Sequence, residues 1–209
     1  MREEQAVLDV SNLPAHGFDT REPLWWGNLL LLIIETTTFA IAVAAYLYVS
    51  QNFNVWPPPR TETYSRLDPL PGLTNPTVNL IVLLISAAVM IWVDRSARRN
   101  VKRSVQLGLL ICLMLNLGSI MLRSLEFITS HVRWNSNAYG STLWAILILH
   151  LLHLIVEAAE AFIISVYVYN RGLDPSRRLD ITALAVYWYW VTLVWIPLYA
   201  ILYLGPRFQ

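Results

Sequence analysis

Charged residues and cysteines are scarce in this chain of 209 residues. Only 14% of the residues are charged and 56% are hydrophobic, whereas soluble domains average about 25% charged residues. The chain therefore has too few charged side chains to cover a soluble fold of this size, and its composition predicts an integral membrane protein. A net charge of +1 argues against a nucleic-acid partner. The single cysteine, Cys112, excludes an intramolecular disulfide and any site held by several cysteines.

Five continuous apolar runs divide the chain. A helix needs about 20 residues to cross the roughly 30 Å hydrocarbon core of a bilayer. We place the runs at residues 24–49, 76–93, 105–122, 142–169 and 181–204. The sequence therefore predicts an all-α fold with a single membrane domain, residues 24–205, built from five transmembrane helices. Residues 1–23 are polar and contain no apolar core before a small-residue cleavage site, so we expect a cytoplasmic segment and no removable signal peptide.

Basic residues are concentrated in two of the four predicted connections. Residues 94–103 contain five Arg and Lys residues and residues 170–180 contain three, whereas the longer connections 50–75 and 123–141 contain two each. The positive-inside rule assigns the basic connections to the cytoplasm. It therefore predicts the N-terminus inside and, after five crossings, the C-terminus outside.

Six ionisable side chains lie within or close to the predicted helices. A charged side chain at the centre of a bilayer costs about 2.5–3.5 kcal/mol on insertion scales, so each of them needs a physical reason. They are Glu35, Glu126, His150, His153, Glu157 and Glu160. We treat them as candidates for proton-linked or lipid-linked sites, with structural hydrogen bonding as the alternative.

Glu35 lies near the middle of the first predicted helix and is followed directly by Thr36, Thr37 and Thr38. This polar face predicts a contact with protein or water and not with lipid tails. Two interpretations stay open for Glu35. It is either a protonated acid that bonds to a neighbouring helix, or a group that handles protons or contacts a lipid headgroup or another subunit.

The fourth predicted helix carries a polar stripe. At 100° per residue, four ionisable residues share an arc of about 80°: His150, His153, Glu157 and Glu160. The stripe predicts an interhelical hydrogen-bond network in which a histidine meets Glu35, Glu126 or a backbone carbonyl. The alternatives are a metal site completed by other helices, and a proton or lipid role.

The remaining polar and aromatic signals favour structural roles. Glu126 follows Arg123 by three positions, a spacing that predicts a local ion pair. We interpret Trp188 and Trp195 of the last run as packing residues. The chain contains no Walker loop, dinucleotide fingerprint, CxxCH haem attachment or paired nucleophile and base, so its motifs predict no catalytic residue and no metal ligand.

Two predicted helices carry parts of a known family pattern. The first, WWGNLLLLIIETTTFAIAVAAYLYV, has Glu35, Phe39 and Tyr46 in the positions of an intramembrane Glu, a Phe and a helix-end Tyr. The third, LGSIMLRSLEF, has Glu126 at the family's Glu position and Arg123 where Gln is usual. In these residues the chain resembles subunit III of the haem-copper oxidases, the cytochrome c and quinol oxidases.

Two further helices extend the resemblance. The fourth, YGSTLWAILILHLLHLIVE, is similar to the family's Tyr-Gly-Ser start and His-x-x-His pair, with Glu157 at a usual Gly position. The last, YWYWVTLVW, resembles a Tyr-Trp-His-Phe-Val-Asp-x-x-Trp signature. It keeps Trp188 and Trp195 and has Tyr189 and Thr192 in place of His and Asp.

The resemblance covers residues 25–205 and implies a short, five-helix, multi-pass member of the family in the bacterial cytoplasmic (inner) membrane. In the family, haem and copper lie in subunits I and II and subunit III holds no redox centre. The resemblance therefore implies a non-catalytic subunit that packs on subunit I and supports stable turnover, proton uptake and lipid binding in aerobic respiratory electron transport. It implies no cofactor in this chain, haem and copper in the partner subunits, and subunits I and II and membrane lipids, including phospholipid, as partners.

Two other functions stay open. A subunit-III-like accessory protein of a nitric oxide reductase would keep the fold and change the partner complex. A metal-dependent membrane enzyme would instead use the stripe of His150, His153, Glu157 and Glu160 as its site.

Overall fold

The computed structural model describes residues 23–58, 70–130, 132–174 and 178–208. Regular structure within these ranges is entirely helical. The five long helices are α1 (Pro23–Ser50), α2 (Thr74–Arg98), α3 (Lys102–Thr129), α4 (Ala138–Arg171) and α5 (Arg178–Tyr199). Each of them, α5 together with the turns that follow it, is long and apolar enough to cross a membrane. The predicted architecture of five membrane-spanning helices is therefore confirmed.

α2, α3 and α4 extend several residues beyond their apolar runs. α2 continues to Arg98 and α3 to Thr129, whereas the runs end at residues 93 and 122. Hydropathy marks only the part of a helix inside the hydrocarbon, but backbone hydrogen bonding continues through the polar turns at the membrane surface. α4 begins before its run because the Asn137 side chain caps it and accepts a hydrogen bond from the Gly140 N–H.

The last helix changes form before its predicted end at residue 204. Its α-helical part ends at Tyr199 and is followed by a π-helical turn, Ala200–Leu204, and a 3-10 turn, Gly205–Arg207. Pro197 lies in the turn before this change. Because proline has no N–H and its ring collides with the carbonyl four residues earlier, it weakens the α-helical bonding of this part of the helix, and the helix changes form shortly after it.

Short connections set neighbouring helices antiparallel. Only residues 99–101 separate α2 from α3, and Asn100 adopts the left-handed conformation there, with φ 57°. Gly172 follows α4 with φ 86°, a conformation that only glycine adopts without strain. Both turns lie at the same end of the bundle.

α5 is the most buried of the helices and α1 the least. α5 packs against α1, α2 and α4, while α4 packs against α1, α3 and α5. The buried residues of α1 are Leu32, Phe39 and Tyr46, which recur every seven residues and form one narrow seam. α1 is therefore attached along one edge of a group formed by the other four helices.

The starts of α1, α3 and α5 lie at the same end as the ends of α2 and α4. At this end the Asn28 side chain donates to the Ala183 carbonyl at 3.2 Å, and the Gln106 side chain donates to the Val168 carbonyl at 3.3 Å. We call it the basic end and the opposite one the far end. The basic residues at the basic end include Arg95, Arg98, Lys102, Arg171 and Arg178.

Parts of the topology prediction fall outside the described residues. These are Arg60, Arg66, Arg177 and residues 1–22 of the predicted N-terminal segment. The assignment of the basic end to the cytoplasm stays a prediction from charge.

Candidate functional site

Glu35 and His153 join α1 to α4. Glu35 Oε2 and His153 Nε2 are 3.0 Å apart, and His153 Nδ1 donates to the Leu149 carbonyl at 2.7 Å. The predicted meeting of a stripe histidine with Glu35 is therefore confirmed. Both ring nitrogens of His153 have partners within the chain.

One proton lies between Glu35 and His153. Nδ1 carries a hydrogen because its partner is a carbonyl oxygen, which can only accept. Nε2 then either carries a second hydrogen that faces an ionised Glu35, or accepts the hydrogen of a protonated Glu35. The pair is neutral overall in both forms, which suits the interior of a membrane.

Aromatic rings pack around this pair. The centroid of the Phe39 ring is 5.1 Å from that of His153, and the centroid of the Trp190 ring is 5.4 Å from it. The Glu35 side chain is 27% exposed and that of His153 is 9% exposed. The carboxyl group of Glu35 can therefore be reached from the surface of this chain, whereas the imidazole cannot.

The three threonines after Glu35 bond mainly within α1. The hydroxyls of Thr36, Thr37 and Thr38 donate to carbonyls four residues earlier, at 2.6, 2.9 and 3.1 Å. Thr36 also accepts a hydrogen bond from the Trp190 indole at 2.8 Å. The expected polar face thus contacts protein at Glu35 and Thr36. The other two hydroxyls are satisfied by the backbone and are compatible with lipid.

His150 faces α5. Its Nε2 donates to the Val191 carbonyl at 3.4 Å, and its ring centroid is 4.6 Å from that of Trp195. The residue is completely buried. The two histidines of the stripe therefore bond to different helices, although they lie on one face of α4.

The two carboxylates of the stripe also diverge. Glu157 is buried and accepts a hydrogen bond from the Asn116 amide of α3 at 2.5 Å. Glu160 lies one turn nearer the basic end and, with Asp180, lines a cavity of about 320 Å³ between α1, α4 and α5. Asn116 was not singled out from the sequence, because a lone Asn in an apolar helix does not reveal its partner.

The stripe is divided because α4 has three neighbouring helices. An arc of about 80° on one helix is wide enough to reach α1, α3 and α5 separately. Within the parts of the chain that the structure describes, no three or more His, Cys, Asp or Glu side chains form a group that could hold a metal ion. The geometry thus supports the predicted hydrogen-bond network and gives the metal-site alternative no support.

A second polar cluster lies towards the far end, around Arg123 and Glu126. Arg123 Nη1 donates to Glu126 Oε2 at 2.6 Å, which confirms the predicted pair. Tyr203 donates to the other carboxylate oxygen, and the Arg123 guanidinium carbon is 3.7 Å from the centroid of the Trp195 ring. The Arg123 side chain is 0% exposed, so this pair lies in the interior of the helix bundle.

Sequence reasoning missed a third cluster at the basic end. Asp94 accepts hydrogen bonds from Thr182 Oγ1 and Arg98 Nε, both at 2.9 Å. The bond to Thr182 ties α2 to α5. The spacing of Asp94 and Arg98 by four positions is typical of an ion pair on a helix. The sequence prediction places both residues in a connection and uses only its basic residues, so it does not find this pair.

Trp188 and Trp195 are both completely buried, as expected for packing residues. The Trp188 indole N–H also donates to Ser86 Oγ at 3.0 Å and so links α5 to α2. Trp195 packs on Arg123 and His150. The two residues are therefore equally buried but pack against different side chains.

These features define an integral membrane protein of five helices in which His150, His153, Glu157 and Asp94 bond to neighbouring helices. Arg123 pairs with Glu126 of its own helix. Comparison with known proteins gives the family. Residues 5–206 match the sequence profile described as Cytochrome c oxidase subunit III. The chain therefore belongs to the cytochrome c oxidase subunit III family, as its resemblance implied, and is a subunit III of a terminal oxidase.

Individual relatives agree with this assignment. The protein named Cytochrome c oxidase subunit 3 from Homo sapiens is 27% identical over 193 residues, which is 90% of this chain and 72% of that protein. Proteins of the same name from Oryctolagus cuniculus and Aedes aegypti are each 26% identical over 185 residues. These alignments cover 86% of this chain and 69% and 68% of the two relatives. Family membership places the chain in an oxidase complex with other subunits.

Proposed function

We propose that this chain packs on subunit I of a proton-pumping oxidase, next to subunit II, and supports stable turnover and proton uptake without carrying a redox centre. Haem and copper then belong to subunits I and II. The observation that carries the proposal is the Glu35–His153 pair, whose carboxyl group is partly exposed inside a membrane span. A proton can pass between the two side chains along this hydrogen bond while the pair stays neutral overall.

The side-chain geometry of His153 also supports the non-redox part of the proposal. Both of its ring nitrogens are bonded within the chain, whereas a metal ligand needs a free lone pair on a ring nitrogen. The relatives compared above are named as oxidase subunits, so we keep an oxidase, and not a nitric oxide reductase, as the parent complex.

Glu35→Ala in the intact oxidase tests the proton role. We expect the complex to assemble, since Glu35 is partly exposed, but to inactivate faster during turnover or to take up protons more slowly at high pH. The reason is that His153 loses the partner with which it shares a proton. Oxygen-consumption progress curves and proton-uptake measurements across pH give the readout, with retention of the chain checked on a gel.

Thr37→Val is the matched control. Thr37 is exposed two positions along the same helix, and its hydroxyl bonds only to the α1 backbone in the described structure. It should behave as the unaltered oxidase does. If Glu35→Ala and Thr37→Val are indistinguishable at every pH, Glu35 is a packed acid and the proton role is wrong.

The partner subunits have a separate test. A tag on this chain should co-purify, in mild detergent, a haem-bearing subunit that is visible in the absorption spectrum. Recovery of the chain alone without haem under gentle conditions would contradict the proposed packing on subunit I.

We also propose that lipids, phospholipid among them, cover the outer surface of α1, and that the membrane is the bacterial cytoplasmic membrane. Large apolar side chains on α1 support the lipid contact, since Ile34, Ile41 and Tyr48 are 62%, 65% and 70% exposed. Lipid analysis of the delipidated and native complexes would show whether phospholipid stays bound with this chain.

A further inference from the structure

Ten side chains of α2, α3, α4 and α5 carry buried polar atoms that have no hydrogen-bond partner among the residues that the structure describes. Six of the ten belong to one region around Arg123: Asn79, Ser119, Arg123, His150, Thr192 and Trp195. None of the six is more than 3% exposed. We call this set the Arg123 layer.

Direct contacts and helix periodicity bring five members of the layer together. The Arg123 guanidinium and the His150 ring both pack on the Trp195 ring, at 3.7 and 4.6 Å from its centroid. Ser119 is one turn before Arg123 on the same face of α3. Thr192 is about one turn before Trp195 on α5.

Helix register brings Asn79 to the same level. α2 runs antiparallel to α5, and the hydroxyls of Thr77 and Tyr199 are 2.7 Å apart. Asn79 lies two residues further along α2 and is completely buried. It therefore lies opposite the turn of α5 that precedes Tyr199 and contains Trp195.

Arg123 is the charged member of the layer, and only part of its guanidinium is hydrogen-bonded. One of its terminal nitrogens, Nη1, donates to Glu126, whereas Nε and Nη2 have no partner in the described structure. A membrane interior offers no bulk water to such groups, and a buried donor left unpaired is costly. The layer therefore needs a small polar ligand that can bond to several side chains at once.

The groups of the layer match water better than an anion. Arg123 and the Trp195 indole offer donors, but Asn79 Oδ1 is an unpaired acceptor. His150 Nδ1 is a second acceptor, because the neutral ring donates through Nε2. Glu126 already balances the charge of Arg123, so an anion would add a net buried charge. Water donates and accepts and is neutral.

We propose that the Arg123 layer binds a cluster of ordered water molecules in the interior of this subunit. A cavity at the far end reaches the ion-pair partner of Arg123. Glu126, which is bonded to Arg123, also lines a cavity of about 350 Å³ next to residues 70–75 and 129–130. The water cluster hydrates the buried ion pair and links α2, α3, α4 and α5 by hydrogen bonds.

X-ray radiolytic labelling of the purified oxidase tests this proposal without any variant. The X-ray pulse makes hydroxyl radicals from water where that water is bound, so side chains next to internal water are oxidised even with a radical scavenger in the bulk solvent. Trp188 is the internal control, since it is also on α5 and also 0% exposed. Its indole is bonded to Ser86. We expect Trp195 to be oxidised several-fold faster than Trp188.

Equal protection of Trp195 and Trp188 would overturn the proposal. A variant adds a second arm: Asn79→Leu removes two polar atoms from the layer and should lower Trp195 oxidation to the Trp188 level. Ser86→Ala, the control on the same helix, should leave Trp195 oxidation unchanged. Trp195 oxidation that is unaffected by Asn79→Leu would show that the layer does not hold the water. In a crystallographic map of the oxidase, a single density peak within the Arg123 layer that changes when chloride is replaced by bromide would show an anion instead.

Discussion

Three buried or partly buried carboxylates of this chain have hydrogen-bond partners of different chemical type. Glu126 is bonded to an arginine and a tyrosine, Glu35 to a histidine, and Glu157 to an asparagine. A full cation favours an ionised carboxylate, whereas an amide stabilises a neutral acid as readily. At the scale of residues, Glu35 is the one of the three that is both paired with a histidine and partly exposed.

Glu126→Leu should destabilise the chain strongly. It leaves Arg123 as an uncompensated charge in the interior, and breaking a buried ion pair from one side costs about 3–5 kcal/mol. We expect a lower Tm for the complex and less of this chain in the purified oxidase.

The double variant Arg123→Met, Glu126→Leu separates the ion pair from the packing around it. Replacing both charges by apolar side chains of similar volume is often nearly neutral, so the double variant should recover much of the lost stability. A double variant no more stable than Glu126→Leu alone would show that the charge left behind is not the cause.

At the scale of helices, α2 packs tightly on α3 at Gly108. A Cβ atom at this position would collide with the Val93 side chain and press on the Trp92 ring. Gly108 is therefore needed for the tight packing of these α2 side chains on α3 and not for a special backbone conformation.

Gly108→Ala should loosen the α2–α3 hairpin by about 1–3 kcal/mol, since overpacking a tight contact forces side chains and backbone to move. Gly118 offers the control on the same helix, because a Cβ there would have no atom within 4 Å. We expect Gly118→Ala to leave the thermal unfolding midpoint of the purified complex unchanged or slightly raised. Equal midpoints for the two variants would argue against close packing at Gly108.

Helix number and the polar stripe could be predicted because both follow from local regularities. Apolar run length marks a membrane span, and a rotation of 100° per residue puts His150 and Glu157 on one face. Partner choice could not be predicted in the same way. The bonds from Tyr203 to Glu126 and from Asn116 to Glu157 join residues 77 and 41 positions apart, and they depend on which helices touch.

At the scale of the whole molecule, the predicted inside N-terminus can be tested by cysteine labelling. Cys112 is completely buried, so a new surface cysteine provides the only reactive thiol. Val101→Cys lies at the basic end and Asn135→Cys at the far end, both at exposed positions. An impermeant maleimide added to intact cells should label Asn135→Cys and spare Val101→Cys. The reverse pattern would contradict the orientation.

The edge position of α1 has a consequence for assembly. α1 is the first of the five helices to be synthesised, yet it packs against α4 and α5, the last two. The contacts of Phe39 with His153 and Trp190 and the Glu35–His153 pair can therefore form only after α4 and α5 have been synthesised. Until then Glu35 lacks its partner on α4. The contact that pairs this carboxyl group also attaches α1 to the rest of the bundle.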